Sequence, residues 1–161
     1  MAESLAFSNA APRAQIYLEI IPQIESLISV ETDIIANLAN VAAALKEAFD
    51  FFWVGFYLKK EDQLVLGPFQ GPLACTRIDF GSGVCGTAYL TKQTVIVPDV
   101  DDFADHIACN SASRSEIVVP VFGPKNEVVA VLDVDSRQIN DFGPQDQLGL
   151  EGIANLISQR L

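Results

Sequence analysis

The chain has 161 residues, half of them hydrophobic, with ten phenylalanines and a formal net charge of −11. That length and apolar content suit a single domain with a real core and exclude a disordered chain. A surface this acidic repels phosphate backbones and anionic lipid, so no nucleic acid or membrane partner is expected, and a small molecule or a protein is favoured. The N-terminal stretch MAESLAFSNAAPRAQ lacks a basic region followed by an apolar run, and nothing later approaches the roughly 20 apolar residues of a membrane span. The expected location is therefore cytoplasmic.

Residues 1–12 are small and polar and read as a loose lead-in. From Pro12, the spacing of Ile16, Ile20, Ile24 and Leu27 is helical, and Pro22 is expected to kink or split that helix. Thr32 or Asp33 caps a second helix whose Ile34, Ile35, Leu38, Val41, Ala42, Leu45 and Phe49 form an apolar face, with asparagines on the other. Phe51 to Leu58 is aromatic and β-branched and pairs as a hairpin with Leu64 to Leu66. GPFQGP reads as a loop, ACTRIDF as a short strand, and GSGVCGTAYLTK as a glycine turn opening a short helix. Thr94 to Val97 is a strand and PDVDDF a polar turn. Glu116 to Phe122 and Glu127 to Val134 form a second hairpin. Pro144 starts a last helix with Leu148, Leu150, Ile153, Leu156 and Ile157 as its apolar positions. The class is α+β: one domain, a largely antiparallel sheet of about six strands, the first two helices and the last on one face, and the loops between Phe69 and Ser115 over the other.

Chemistry concentrates in Phe103 to Phe122. A polar loop carries the only histidine, His106, and Cys109, and runs into a strand that opens with Glu116. Three cysteines, Cys75, Cys85 and Cys109, are an odd set. In a reducing compartment, thiols are inert core, metal ligands or redox actors. Zinc fits poorly, because Cys75 and Cys85 lack the close pairing of structural sites. The glycines at Gly81, Gly83 and Gly86 satisfy G-x-G-x-x-G but follow no first strand of a βαβ unit. Asp99/Asp101 and Asp133/Asp135 do not continue into a calcium loop. The redox reading explains more. His106 would lie one turn from Cys109 if the loop coils, where an imidazolium stabilises a thiolate. Cys75 leaves a loop from which it could reach Cys109, whereas Cys85 is equally readable as small buried core. Asp133 and Asp135 alternate on one face of their strand. With Glu116 they are expected to gather near one sheet edge, where they could hold an ammonium group or keep one carboxyl protonated as an acid. Trp53 and Tyr57 face the same side and could wall a thioether methyl, although Trp53 is as readily core.

These residues also carry a family likeness. WVGFYL at Trp53 to Leu58, GPFQGPLACTRI at Gly67 to Ile78, GSGVCGTA at Gly81 to Ala88, HIACNSASRSEIVVPV at His106 to Val121 and VLDVDS at Val131 to Ser136 resemble free methionine-(R)-sulfoxide reductases, enzymes built on a GAF domain. The likeness runs from about residue 14 to the end. It implies Cys109 as the attacking thiol, Cys75 as the main resolving thiol and Cys85 as an auxiliary partner. It further implies Glu116, Asp133 and Asp135 as substrate-binding carboxylates and Trp53 and Tyr57 as pocket aromatics. The implied substrate is free L-methionine (R)-S-oxide, with no cofactor, thioredoxin as reductant and a homodimeric assembly. Asn110 departs from the family, which often has Asp after the cysteine. Two rivals remain at this point: a GAF sensor that binds a small molecule without turning it over, and a thiol switch acting on a partner protein.

Overall fold

The computed structural model describes residues 4–161. The elements in chain order are α1 (Arg13–Ser29), α2 (Ile34–Phe49), β1 (Trp53–Lys60), β2 (Gln63–Gln70), β3 (Arg77–Asp79), α3 (Gly83–Thr91), β4 (Val95–Val97), a 3₁₀ turn (Val100–Asp102), β5 (Ser115–Phe122), β6 (Val128–Ser136) and α4 (Pro144–Ser158). The six strands form one sheet in the order β3-β2-β1-β6-β5-β4, every pair antiparallel. This is the expected α+β class. Among the described residues no helix is long and apolar enough to cross a membrane.

Both faces of the sheet are covered, which is why its central strands read as unbroken apolar runs rather than as strict alternation. Val54, Phe56, Ile117, Val119, Leu132 and Val134 pack under α1, α2 and α4 in the larger core cluster. Trp53, Tyr57, Val118 and Val131 point the other way, into a smaller cluster with Val84, Cys85 and Ala88 of α3. The three outer helices thus lie on one face as expected, and α3 with the connecting loops covers the other.

Several boundaries differ from the sequence expectation. Pro22 sits inside α1, which runs through without splitting. Its ring is on the exposed side, where water can satisfy the carbonyl it leaves without a donor. Asn37 of α2 is buried rather than solvent-facing, its amide donating to the Glu31 carbonyl at 3.0 Å. Asp33 caps α2 by accepting from the Ile35 and Ala36 amides. GPFQ is not loop but the second half of β2, paired with β1 across an irregularity between Gly55 and Tyr57. Pro68 is tolerated there because β3 pairs only with Gln63 to Val65, leaving the rest of β2 without a ladder partner on that side. Leu148 of α4 is 75% exposed. The inward place beside it belongs to Gly149, where any Cβ would lie 2.3 Å from the Tyr17 ring.

An ionic cluster binds this helical layer to the sheet. Arg13 of α1 hydrogen-bonds Asp141 at 3.0 Å and contacts the fully buried Asp146 of α4 at 3.4 Å. Tyr17 donates to the same Asp146 at 3.1 Å, and Ser136 at the end of β6 donates to Asp141 at 2.5 Å. The lead-in has no regular structure in its described part, yet it is held. The Leu5, Ala6 and Ser8 amides donate to Glu47, Gln23 and Glu19. The first three residues lie outside the described ones.

Candidate active site

The sheet's register assembles the site. Trp53 of β1 lies opposite Asp135 of β6, and Asp135 lies opposite Glu116 of β5. Two residues along β6, on the same face, Asp133 lies between Gly55 and Val118. The carboxyls therefore meet over β5 and β6, two interior strands, not at a sheet edge as the sequence suggested. Glu116 and Asp133 are each only 6% exposed, and Asp135 is half-buried at the rim. Burial in this setting strongly disfavours the charged form.

Burial, together with mutual repulsion, holds the Glu116 and Asp133 carboxyls well above the ordinary carboxylate range. Asp135 is pushed up as well, to about 6, by the same burial, while a hydroxyl from Ser113 and the nearby His106 pull it back. Asp133, Glu116 and Cys85 crowd together, one polar atom of each within 4.8 Å of the others, yet Asp133 Oδ1 is buried without a partner. That oxygen is an acceptor aimed at nothing in the protein, and leaving it so is costly unless a ligand donates to it.

Trp53 and Tyr57 form the wall, their rings 6.0 Å apart between centroids, with Phe69 stacked on the far side of Trp53 at 5.3 Å. The indole fits because Gly55 and Gly71 have no side chains. A Cβ at either would come within 2.7 Å of it, and Gly71 also has φ of +140°. The indole N–H donates to the Pro72 carbonyl at 3.1 Å, and the Tyr57 hydroxyl to the Cys75 carbonyl at 3.0 Å.

The roof is a disulfide. Cys75 and Cys109 are joined, with Cα atoms 5.2 Å apart, and both residues are half-buried. Cys85 is a free, buried thiol on α3 whose ionisation is strongly opposed by burial and by Asp133 and Glu116. The loop bearing Cys109 does not coil into a helix. Its His106 Nε2 faces Glu116 at 3.6 Å rather than serving a helical-turn contact with Cys109. Asn110 turns the loop, its side-chain oxygen accepting from the Ala112 amide at 2.9 Å. Gly81 lies in the turn that ties β3 to α3, while Gly83 opens α3 and Gly86 lies in its first turn, the Gly81 amide donating to the Gly86 carbonyl at 3.0 Å.

Seven of the eight residues singled out from sequence, Cys85, Cys109, Glu116, Asp133, Asp135, Trp53 and Tyr57, thus line one cavity, and Cys75 joins them through its disulfide. With the disulfide formed, the free space inside is about 40 Å³, room for a few waters and not for an amino acid. The four-ligand zinc set weighed from sequence is not assembled, because two of its sulfurs are bonded to each other. The described residues bring together a different trio, Cys85, Glu116 and Asp133, with one ligand atom of each within 4.8 Å of the others. Sequence reasoning missed Ser113, which donates to Asp135, and the glycine slot for Trp53. Neither carries a motif signal.

Residues 31–161 match the GAF domain family. A free methionine-R-sulfoxide reductase of Escherichia coli is 45% identical over 86% of this chain and 84% of its own length. The chain belongs to this reductase family of GAF domains. A GAF domain-containing protein A of Dictyostelium discoideum is 54% identical, covering 98% of this chain and 99% of that protein. The crystal structure of free methionine-R-sulfoxide reductase from Neisseria meningitidis, in complex with its substrate, superposes with a TM-score of 0.95 at 55% identity, covering 99% of this GAF domain and 95% of that chain.

Proposed function

We propose that the protein reduces free L-methionine (R)-S-oxide to methionine. The observation that carries this is a half-buried Cys75–Cys109 disulfide roofing a small cavity floored by three carboxyls and walled by an indole. The names of the relatives support the substrate. In the reduced enzyme the Cys109 thiolate attacks the sulfoxide sulfur while a carboxyl of the floor protonates the departing oxygen. The oxygen passes to Cys109 as a sulfenic acid, the sulfoxide sulfur gains two electrons, and methionine leaves. The Cys75 thiol then bonds to the Cys109 sulfur, and the oxygen departs as water.

Glu116, Asp133 and Asp135 hold the substrate's polar atoms, and Asp133 Oδ1 is an acceptor awaiting a donor. Trp53 and Tyr57 enclose the thioether end. Because the disulfide leaves no room for an amino acid, substrate enters after reduction. Cys85, held as a neutral thiol, is a weak nucleophile and serves as the auxiliary partner. Family likeness gives thioredoxin as the reductant, a homodimer as the assembly and the cytoplasm as the setting.

The test is consumption of free methionine sulfoxide, resolved by sulfur stereochemistry, with dithiothreitol or thioredoxin as reductant. Cys109→Ser abolishes the first turnover. Cys75→Ser releases one methionine per enzyme and then stalls with thioredoxin. Full activity in Cys109→Ser would remove the assignment.

A further inference from the structure

Ser113 is one of several small polar residues in the Cys109 loop, and nothing in its sequence neighbourhood marks it. The fold separates it from the others. Ser111 is exposed, while Ser113 is 8% exposed. Asn110 makes the difference, since its carbonyl accepts from the Ser113 amide at 3.2 Å and its side chain from the Ala112 amide. That turn aims position 113 inward. The next residue is fixed to the sheet, the Arg114 amide donating to the Ser136 carbonyl at 2.7 Å. So placed, the Ser113 hydroxyl donates to Asp135 Oδ1.

We propose that Ser113 is a positioning residue of the reductase site, its hydroxyl fixing Asp135 as the standing anion so that the deliverable proton stays on the Glu116–Asp133 pair. The inference rests on the reductase reading above and deepens it.

Three carboxyls crowded into one small cavity cannot all be ionised without strong mutual repulsion. An ionised carboxylate only accepts hydrogen bonds, so a hydroxyl aimed at it favours its charged form. Asp135 alone of the three accepts a hydroxyl from the loop, because His106 Nε2, at 3.6 Å from Glu116, stays beyond hydrogen-bonding distance. The titratable groups facing it are Glu116 on β5, Asp133 on β6, His106 on the loop, Tyr57 on β1 and Cys85 on α3. His106 also favours its charge. Asp133 and Glu116 crowd each other instead, one carboxyl oxygen of each within 4.8 Å of the other, and burial with repulsion from Asp135 favours the protonated form of both. The proton thus resides on the pair. The segment that bears the attacking sulfur also bears Ser113, so seating the loop both places Cys109 and charges Asp135.

The experiment uses reduced full-length enzyme and measures single-turnover release of methionine from free methionine sulfoxide between pH 5 and 9. In Ser113→Ala, Asp135 loses its donor and holds its proton to higher pH. The acid limb of the rate profile therefore moves up by about one pH unit. Ser113→Thr, which keeps the hydroxyl, returns the limb to its wild-type position. An unshifted limb in Ser113→Ala overturns the inference, whether or not the plateau falls. A second measurement needs no variant at 113. In wild-type protein with ¹³C-labelled aspartate, the Asp135 carboxyl, assigned by its loss in Asp135→Asn, titrates below that of Asp133, and the reverse order overturns the inference. Wild-type enzyme that releases no methionine at any pH removes the reductase reading and this inference together. A normal wild-type rate with an unshifted limb removes the inference alone.

Discussion

Trp53 is held by what its neighbours lack. Its indole lies flat against the site because Gly55, in register with Asp133, and Gly71 leave a slot on either side of it. Adding one methyl at 55 forces the ring away from the cavity, since the new carbon would also meet Phe69 at 2.3 Å. Gly55→Ala is therefore expected to lower kcat/KM for methionine sulfoxide by on the order of 10–100-fold. Trp53 is the only tryptophan, so its fluorescence maximum reports the displacement directly. Unchanged emission together with unchanged kinetics would show that the slot does not set the wall. The alternation of Asp133 and Asp135 was legible in sequence because strand geometry alone puts i and i+2 on one face. The partners of those carboxyls were not. Ser113 and His106 lie on a loop with no period to read, and which of its polar side chains turns inward is decided by Asn110 and by the docking of Arg114 on β6.

The same division holds for elements. Helices α2 and α4 and the central strands were legible because most of their apolar positions match the faces they bury, Ile35 and Leu148 excepted. Errors arose where tertiary context overrode a local signal. Gly67 and Pro68 say loop, yet the irregular pairing beside Gly55 admits them to β2. Pro22 says break, yet α1 turns that residue to solvent. The Arg13 cluster was invisible for another reason, since its partners Asp141 and Asp146 are more than 120 residues away. It is a contact that a single mutation can break. Asp146 has no solvent access, and Arg13 is the cation within reach of it, stacked also on the Phe51 and Phe142 rings. Arg13→Ala leaves a buried carboxylate without a countercharge and is expected to cost about 3 kcal/mol, read as a lower urea midpoint with an unchanged m-value. A loss under about 0.5 kcal/mol, the scale of an ordinary surface change, would mean that Tyr17 and the helix start suffice to hold Asp146.

At the scale of the whole molecule, the two faces of the sheet do opposite things. The helical face buries aliphatic side chains and a carboxylate that has Arg13 beside it, while the α3 face gathers three carboxyls that, among the described residues, no lysine or arginine pairs with, and spends part of the fold's stability on chemistry. The pH dependence gives the sign. In the unfolded chain Glu116, Asp133 and Asp135 release protons near pH 4. In the folded protein burial raises all three, Asp135 to about 6 and the other two well above the ordinary carboxylate range. Above about pH 4 the folded state thus binds more protons than the unfolded one, so the contribution of these groups is fully present below that pH and is lost as pH rises through the folded values. Exposed acids such as Glu19 and Asp50 shift in the opposite direction, so the quantity to follow is the difference between a variant and the wild type. Glu116→Gln keeps the shape and removes the proton demand. It is expected to be more stable than wild type at pH 8 by about 1–2 kcal/mol, a rise in Tm of roughly 2–8 °C for a chain of this size, with the gain vanishing near pH 4.5 and sulfoxide reduction falling at every pH. A gain that does not change with pH would locate it in packing instead, and a loss of stability at pH 8 would make Glu116 a structural residue, because only a carboxyl held against its own tendency to ionise makes the folded protein weaker as the solution becomes more basic.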